Sequence, residues 1–229
     1  MVYSPLCGAG GEPVSEMLTR LGADFVVPES QKNPSGEFET CPNPNPENDG
    51  AFAESYALAE QFQPDVVMAT DPDSDRIAVA IPTAEGFRKF SGNEMGCLLL
   101  EYILSAMQKS GRMPKDPVAV KSVVSTPLAD RVAAAYGCTM RTVLTGFKYI
   151  GGVILELEQA GHPEDYVLGF EESCGYLKGT YARDKDACST LTLLCEVAAY
   201  YKTRGMTLWD GMQELYDFYG AYAEKLSYI

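Results

Sequence analysis

The sequence predicts an α/β protein built from two related α/β/α sandwich domains with mixed, mostly parallel sheets. Three observations support this prediction. Short apolar runs alternate with longer amphipathic segments, the same order of segments recurs in both halves, and the chain of 229 residues is long enough for two domains. With 46% hydrophobic and 22% charged residues, the composition is typical of a globular protein.

The predicted strands are short apolar runs, and they lie near residues 2–4, 24–27, 65–69, 77–81, 118–124, 139–143 and 166–170. The predicted helices carry apolar residues at helical spacing, and they lie near residues 12–21, 50–62, 93–109, 127–136, 149–160, 187–204 and 207–219. Between the first strand and the first helix, Gly8-Ala9-Gly10-Gly11 predicts a tight turn. It is not a phosphate loop, because it lacks the lysine and the Ser or Thr of that motif.

The two halves of the chain repeat one pattern of segments. Residues 3–6 and residues 125–128 each lead through a helix to another apolar strand, and residues 65–71 resemble residues 165–171. We infer two domains, residues 1–115 and 116–229, with the boundary near Pro114 to Pro117; coincidence among short strands is the alternative. Because ligands of open α/β sheets bind at the carboxyl ends of strands, each domain should offer one loop at the same place.

Charge and cysteine content argue against several classes of protein. The net charge of −14 disfavours binding to nucleic acid or to an anionic membrane surface. No apolar run is long enough to span a membrane, and the first residues do not form a signal peptide. Seven cysteines without a C-x-x-C pair, together with one histidine, argue against a zinc site or a disulfide framework. We therefore predict a cytoplasmic protein with neither nucleic-acid nor membrane partners.

The most informative stretch is Asp71-Pro72-Asp73-Ser74-Asp75-Arg76, which lies between two predicted strands. A packed domain tolerates carboxylates this close mainly when a cation neutralises them, and hard oxygen ligands suit Mg²⁺. The adjacent Arg76 indicates an anionic ligand such as a phosphate. We therefore predict Asp71, Asp73 and Asp75 as metal ligands, with a solvated acidic turn as the alternative.

Three segments of the second half add candidate substrate-binding groups. Glu171-Glu172-Ser173 follows a predicted strand and could pair with sugar hydroxyls, although a helix N-terminus would also favour acidic residues. Lys148, in Thr145-Gly146-Phe147-Lys148 before a helix, could reach a phosphate. Lys185 either adds phosphate-binding charge or belongs to a solvated charge run. A metal-carrying loop that faces a hydroxyl-reading loop would suit a phosphorylated polyol such as a sugar phosphate.

Together these loops resemble the α-D-phosphohexomutase family, which includes phosphoglucomutases and phosphomannomutases. The matching segments occur in family order across nearly the whole chain, and the D-P-D-x-D-R loop is highly specific. Supporting matches are Pro42-Asn43-Pro44-Asn45-Pro46-Glu47, Ser91-Gly92-Asn93-Glu94 and Lys185-Asp186.

The resemblance implies roles for the matching residues of the first loop and of the T-G-F-K segment. Asp71, Asp73 and Asp75 would bind Mg²⁺, with a phosphoserine from another domain as a further ligand. Arg76 would face the transferred phosphoryl group, and Lys148 would lie near the phosphate and the reacting hydroxyl. Arg76 and Lys148 are therefore the expected catalytic residues.

The resemblance also implies that Glu171 and Ser173 read sugar hydroxyls and that Lys185 helps to bind the phosphate. Family members have four domains, and this chain is similar to the second and third; it contains no phosphoserine loop of the T-A-S-H-N-P type and no R-x-S-G-T-like phosphate loop. We expect a fragment that is inactive alone. The intact enzyme would interconvert hexose 1-phosphate and hexose 6-phosphate through a hexose 1,6-bisphosphate, with Mg²⁺. The expected partners are the phosphosugar and the missing N- and C-terminal domains of the same chain.

Three other functions remain as alternatives. An EF-hand-like calcium site fits poorly, because Arg76 stands where that loop needs glycine and Pro82 where it needs glutamate. A metal-dependent phosphatase with Asp71 as nucleophile leaves the third aspartate and the sugar-like loop unexplained. A non-catalytic module that binds metal or sugar phosphate is the third.

Overall fold

The computed structural model describes residues 1–224 and contains two four-stranded sheets. The first sheet holds, in spatial order, β1 (Val2–Ser4), β2 (Val67–Thr70), β3 (Ile77–Thr83) and β4 (Gly86–Lys89). The second sheet is formed by β5 (Val118–Ser122), β6 (Thr139–Val143), β7 (Tyr166–Glu171) and β8 (Gly175–Leu177). Its spatial order is β6-β5-β7-β8.

Helices cover both sheets, and the α/β prediction is confirmed. The helices are α1 (Gly11–Leu21), α2 (Ala53–Phe62), α3 (Gly92–Lys109), α4 (Leu128–Ala135), α5 (Phe147–Gln159), α6 (Ala187–Thr203) and α7 (Leu208–Tyr219). Short 3₁₀ turns lie at Asp49–Phe52 and Pro163–Asp165. Each helix predicted from the sequence is present. Within residues 1–224, none is long and apolar enough to cross a membrane.

The strands differ from the prediction in three places. β4 and β8 were not predicted, and the predicted strand at residues 24–27 is reduced to one parallel bridge between Val2 and Val26. In the first sheet, β3 pairs antiparallel with both β2 and β4, so only its β1–β2 pair is parallel. Tight connections on both sides of β3 explain this, because parallel neighbours need a long crossover.

The repeat inferred from the sequence agrees with the strand arrangement. In each half, a first strand (β1 or β5) pairs in parallel with a later strand (β2 or β7), and a tight loop then leads to an antiparallel strand (β3 or β8). The bridge at Val26 takes the place of the β6 pairing in the second sheet. The loops that follow β2 and β7 therefore occupy equivalent positions.

Helix α3 determines where the first domain ends. The predicted boundary near Pro114 to Pro117 assigns α3 to the first domain, but its most extensive contacts are with α4 and β7 of the second. Gly96 permits this packing, since a Cβ there would lie 2.4 Å from a ring carbon of Phe170. A division between β4 and α3 therefore fits the packing better than one at residues 115 and 116.

One hydrophobic core joins the two halves. Buried residues of both sheets and of α1, α3, α4, α6 and α7 belong to a single continuous cluster. A smaller cluster lies between α5 and the second sheet. α6 contacts α1 and β3 as well as β8, so helices of the second half also cover the first sheet.

Candidate functional site

The acidic loop, residues 71–76, connects β2 to β3 at the end of a buried strand. Its first carboxylate closes it: Asp71 Oδ1 accepts hydrogen bonds from the backbone N–H groups of Asp75 at 3.0 Å and Arg76 at 2.9 Å. Ser74 adopts a left-handed conformation with φ of 57°, which tightens the turn. These contacts bring the three aspartates of the loop together.

The three carboxylates form a group that could hold a cation. Asp71, Asp73 and Asp75 each offer an oxygen within 4.8 Å of the others. Burial raises the pKa of Asp71 to about 7; a backbone hydrogen bond from Arg76 opposes this rise, and the carboxylates of Asp75 and Asp73 add to it. Within residues 1–224, Asp75 Oδ1 is buried without a hydrogen-bond partner. Hard oxygens with excess negative charge fit Mg²⁺.

The glycine turn after β1 supports the acidic loop. A Cβ on Gly8 would lie 2.3 Å from Pro72 Cα, and the N–H of Ala9 donates to the Pro72 carbonyl at 2.7 Å. A Cβ on Gly10 would lie 2.2 Å from Ser74 Oγ. The predicted tight turn is confirmed. Its role as a support for the acidic loop was not predicted from the sequence, although the glycine run is the signal of a close backbone approach.

Arg76 lies among carboxylates at the end of the loop. Its Nη1 is 3.3 Å from Glu47 Oε1, and its Nε is 3.8 Å from Asp71 Oδ2 and 3.7 Å from Asp75 Oδ1. Glu47 was not predicted as a site residue; it ends the Pro- and Asn-rich segment noted in the sequence. In the described residues 1–224, Arg76 Nε is buried and makes no hydrogen bond, while the side chain as a whole is 35% exposed.

The acidic loop lies beside the Glu-Glu-Ser loop, residues 171–175. The N–H of Ile77 donates to the Cys174 carbonyl at 3.0 Å, and Arg76 and Gly175 form an antiparallel bridge. The start of α6 joins the same contact, because the N–H of Ala187 donates to the Ser74 carbonyl at 3.1 Å. Backbone hydrogen bonds thus hold the two loops in fixed register.

Lys185 contacts the acidic loop directly. Its Nζ lies 2.5 Å from Asp75 Oδ2 and 3.2 Å from Asp184 Oδ1. Burial lowers the pKa of Lys185, but the hydrogen bonds and charges of Asp75 and Asp184 outweigh burial and raise it overall. Gly175 gives the side chain room, since a Cβ there would lie 2.6 Å from Lys185 Cδ. Lys185 therefore neutralises part of the charge of the three carboxylates.

The remaining predicted residues surround the Glu-Glu-Ser loop. Glu171 is buried, and its Oε1 accepts a hydrogen bond from the Gly146 N–H at 2.7 Å, which links the loop to the start of α5. Burial raises the pKa of Glu171, and this hydrogen bond opposes the rise. Ser173 is half-buried. Lys148 is exposed in the first turn of α5, with its Nζ 5.1 Å from the centroid of the Tyr149 ring.

Both halves of the chain match models of one protein family. Residues 1–86 match “Phosphoglucomutase/phosphomannomutase, alpha/beta/alpha domain II”, and residues 91–219 match domain III of the same description. The division between the two matches falls ahead of α3, in agreement with the packing of that helix.

Curated proteins and solved structures show the same likeness. The chain is 32% identical over 227 residues to the phosphoglucomutase of Staphylococcus saprophyticus, with 98% of the chain and 40% of that protein covered. It is 31% identical over 230 residues to the Schizosaccharomyces pombe protein named “Probable phosphoribomutase”, with 100% of the chain and 39% of that protein covered. The chain thus spans about 40% of the length of these relatives.

Two solved structures share the fold at lower identity. A phosphoglucomutase/phosphomannomutase family protein from Burkholderia thailandensis has a TM-score of 0.72 at 18% identity, covering 93% of this chain and 42% of its own. The Paramecium phosphoglucomutase called parafusin, in its open form, has a TM-score of 0.70 at 20% identity, covering 96% of this chain and 37% of its own.

Proposed function

The chain belongs to the phosphoglucomutase/phosphomannomutase family, and from this premise we propose that it is the metal-carrying and sugar-reading part of an intramolecular phosphotransferase. The intact enzyme would interconvert a hexose 1-phosphate and a hexose 6-phosphate with Mg²⁺. Because the chain spans about 40% of the length of its curated relatives, we further propose that other domains of a longer protein supply the phosphoserine and a loop that grips the substrate phosphate. The chain alone would then be inactive.

One observation carries the proposal: the acidic loop and the Glu-Glu-Ser loop lie side by side. The first offers three carboxylate oxygens within 4.8 Å of one another, and the second joins it through the 3.0 Å hydrogen bond between Ile77 and Cys174. A phosphosugar combines a phosphate with neighbouring hydroxyls, so it needs both kinds of group at one place. This juxtaposition supports a phosphosugar more strongly than it supports a simple phosphate ester.

The chemistry of phosphoryl transfer depends mostly on positioning and charge neutralisation. Asp71, Asp73 and Asp75 would hold Mg²⁺, which when bound supplies positive charge for the transferring group. Arg76 would donate to the phosphoryl oxygens. Lys185, which neutralises Asp75 in this structure, would help to bind the phosphate once a cation takes over that charge.

The second half would read the sugar. Ser173 and the carboxylate of Glu171 would pair with hydroxyls, and the Gly146 hydrogen bond to Glu171 would fix the orientation of that carboxylate. Lys148 would lie near the phosphate and the reacting hydroxyl. By resemblance to the family, the sugar would reorient as a 1,6-bisphosphate between the two phosphoryl transfers. The same residues would therefore have to bind it in both orientations.

A coupled mutase assay on the intact protein tests the proposal. Glucose 1-phosphate and mannose 1-phosphate would be offered separately, with Mg²⁺ and a trace of the matching hexose 1,6-bisphosphate. Conversion of either to its 6-phosphate is the expected result, and it would identify the preferred sugar. A folded, Mg²⁺-loaded protein that converts neither would contradict a hexose phosphate as substrate; ribose 1-phosphate is then the next substrate to offer, in view of the name of the S. pombe relative.

A phosphatase with Asp71 as nucleophile is separated from this proposal by trapping the phosphorylated residue. We expect label on a serine outside this chain. Label on Asp71 would contradict the mutase proposal.

A further inference from the structure

We propose that Glu172 is the positioning residue of the Glu-Glu-Ser loop, and that it acts by fastening the loop to the end of β5 rather than by touching the sugar. This inference rests on the proposed function, because it names what orients Glu171 and Ser173 toward a phosphosugar. Neighbouring carboxylates in this loop would then have different tasks: Glu171 reads the substrate and Glu172 anchors the backbone.

The carboxylate of Glu172 is engaged by two buried hydroxyls. Its Oε2 accepts hydrogen bonds from Ser122 Oγ at 2.7 Å and from Ser125 Oγ at 3.3 Å, and the two hydroxyls lie 2.8 Å apart. Ser122 is 0% exposed and Ser125 is 5% exposed. Because buried hydroxyls are costly to leave unpaired, the carboxylate and the two serines hold one another in place.

A buried lysine fixes the turn that presents these hydroxyls. Lys121, which is 5% exposed, donates from Nζ to the carbonyls of Ser125 at 3.4 Å and Thr126 at 2.9 Å. The same Nζ lies 2.6 Å from Asp130 Oδ2 in α4. The turn after β5 is therefore tied to both its own strand and the following helix, which makes it a firm base for Glu172.

The first turn of α3 holds the loop from the other side. A Cβ on Gly92 would lie 2.0 Å from the Glu172 carbonyl oxygen and 2.7 Å from the Cys174 nitrogen, so the loop backbone rests directly on this glycine. Asn93 Oδ1 accepts a hydrogen bond from the Thr126 N–H at 3.0 Å. The Ser-Gly-Asn-Glu segment noted in the sequence thus packs against both the loop and its base.

The clamped loop makes two outward contacts that depend on its position. Glu171 accepts from the Gly146 N–H at the start of α5, and the Cys174 carbonyl accepts from the Ile77 N–H beside the acidic loop. Loss of the Glu172 anchor should therefore weaken the hydrogen bonds made by the amides of Gly146 and Ile77.

Amide hydrogen exchange on this chain, measured by NMR, tests the anchor without any turnover. In Glu172→Ala, exchange at Gly146 and Ile77 should rise about tenfold, while the amide of Phe90, which donates to Val79 in the first sheet, should keep its rate. Glu172→Gln retains an acceptor oxygen and should restore the wild-type rates. Glu164→Ala, at an exposed glutamate, is the matched control.

Two results would overturn the anchor: unchanged exchange at Gly146 and Ile77 in Glu172→Ala, or an equal rise at Phe90, which would indicate a general loss of stability. If Glu172→Ala does not fold, Ser122→Ala replaces it and should produce a smaller rise at the same two amides. No rise in a folded Ser122→Ala would also count against the anchor.

Kinetics of the intact protein test the consequence for the substrate. Glu172→Ala should raise KM for the preferred hexose phosphate about tenfold, with the apparent affinity for Mg²⁺ kept within about twofold and Glu164→Ala behaving as wild type. A lower kcat at unchanged KM would contradict positioning of the sugar. If the wild-type intact protein shows no mutase activity, the proposed function fails, while the exchange measurement still decides whether Glu172 anchors the loop.

Discussion

Asp71 closes the acidic loop through its Oδ1, while its Oδ2 lies 3.8 Å from Arg76 Nε. Burial, with the nearby charges of Asp75 and Asp73, raises its pKa to about 7, above the ordinary value of about 4. The folded chain therefore binds this proton more tightly than the unfolded chain does. Without a divalent cation, the free energy of unfolding should fall as the pH rises from about 4 to about 7.

Thermal unfolding in EDTA between pH 5 and pH 8 measures this effect. The midpoint temperature of the wild type should fall over this range more than that of Asp71→Asn, which cannot ionise. Saturating Mg²⁺ should reduce the fall, because a cation stabilises the ionised loop. Parallel curves for the two proteins in EDTA would show that Asp71 does not carry the raised pKa.

Asp73 is the exposed member of the three carboxylates and has the least structural role. In the intact protein, Asp73→Asn should lower activity by at least the roughly 10- to 100-fold that weakened metal sites lose. The midpoint temperature should stay close to that of the wild type, because no buried contact is removed.

Activity and Mg²⁺ titration of Asp73→Asn are compared with Asp116→Asn, a change at an exposed aspartate before β5. Asp116→Asn should behave as wild type in both. Near-normal turnover of Asp73→Asn at low Mg²⁺ would remove this residue from the metal site.

Among the elements, α3 packs its first turn directly against the Glu-Glu-Ser loop. Gly92→Ala would place a Cβ 2.0 Å from the carbonyl oxygen of Glu172, and backbone cannot yield as a side chain can. We expect a loss of about 1–3 kcal/mol in the free energy of unfolding, typical of overpacking. Gly152→Ala in α5, where nothing lies within 4 Å, should instead be neutral or gain up to about 1 kcal/mol. Urea denaturation distinguishes the two, and equal stabilities would contradict the close approach.

Helices were predictable from this sequence because their signals are long and periodic. α3 has a Ser91–Glu94 capping box ahead of a buried apolar face, and α7 has the corresponding pair Thr207–Asp210. The two missed strands lack such signals. β4 reads Gly-Phe-Arg-Lys at a sheet edge, and β8 has three residues whose strand form depends on pairing with β7.

The candidate site was predictable in part, because some of its signals are local in the sequence. The acidic loop is a contiguous motif, so its place at a strand end could be inferred from residues 65–81 alone. The pair between Lys185 and Asp75 could not be inferred, because it exists only once the start of α6 packs beside the acidic loop. The same applies to Glu172 and Ser122, which are 50 positions apart. The binding of Mg²⁺ by Asp71, Asp73 and Asp75 stays a prediction. So do the roles toward a substrate of the other site residues: Arg76, Lys148, Glu171, Ser173 and Lys185.

For the whole molecule, the continuous core implies cooperative unfolding. Trp209 of α7 reports on the contact between the two halves of the chain, since the guanidinium of Arg88 in β4 lies 3.4 Å from the centroid of the Trp209 ring. We expect the fluorescence of Trp209 and the far-UV circular dichroism to follow one transition in urea, with equal calorimetric and van't Hoff enthalpies. Two separated transitions would show that the sheets unfold independently despite the shared cluster.

Because α6 lies late in the chain, its contacts with the first half can form only late in translation. β1, β2 and the acidic loop leave the exit tunnel well before α6, yet α6 contacts α1 and its Ala187 binds the acidic loop. Until α6 packs in place, the nascent first half exposes the apolar face of α1, and Asp75 lacks the ammonium of Lys185. A stalled or truncated translation product that ends before α6 would therefore combine an exposed apolar surface with an acidic loop that lacks the Lys185 charge, the features of a chaperone client.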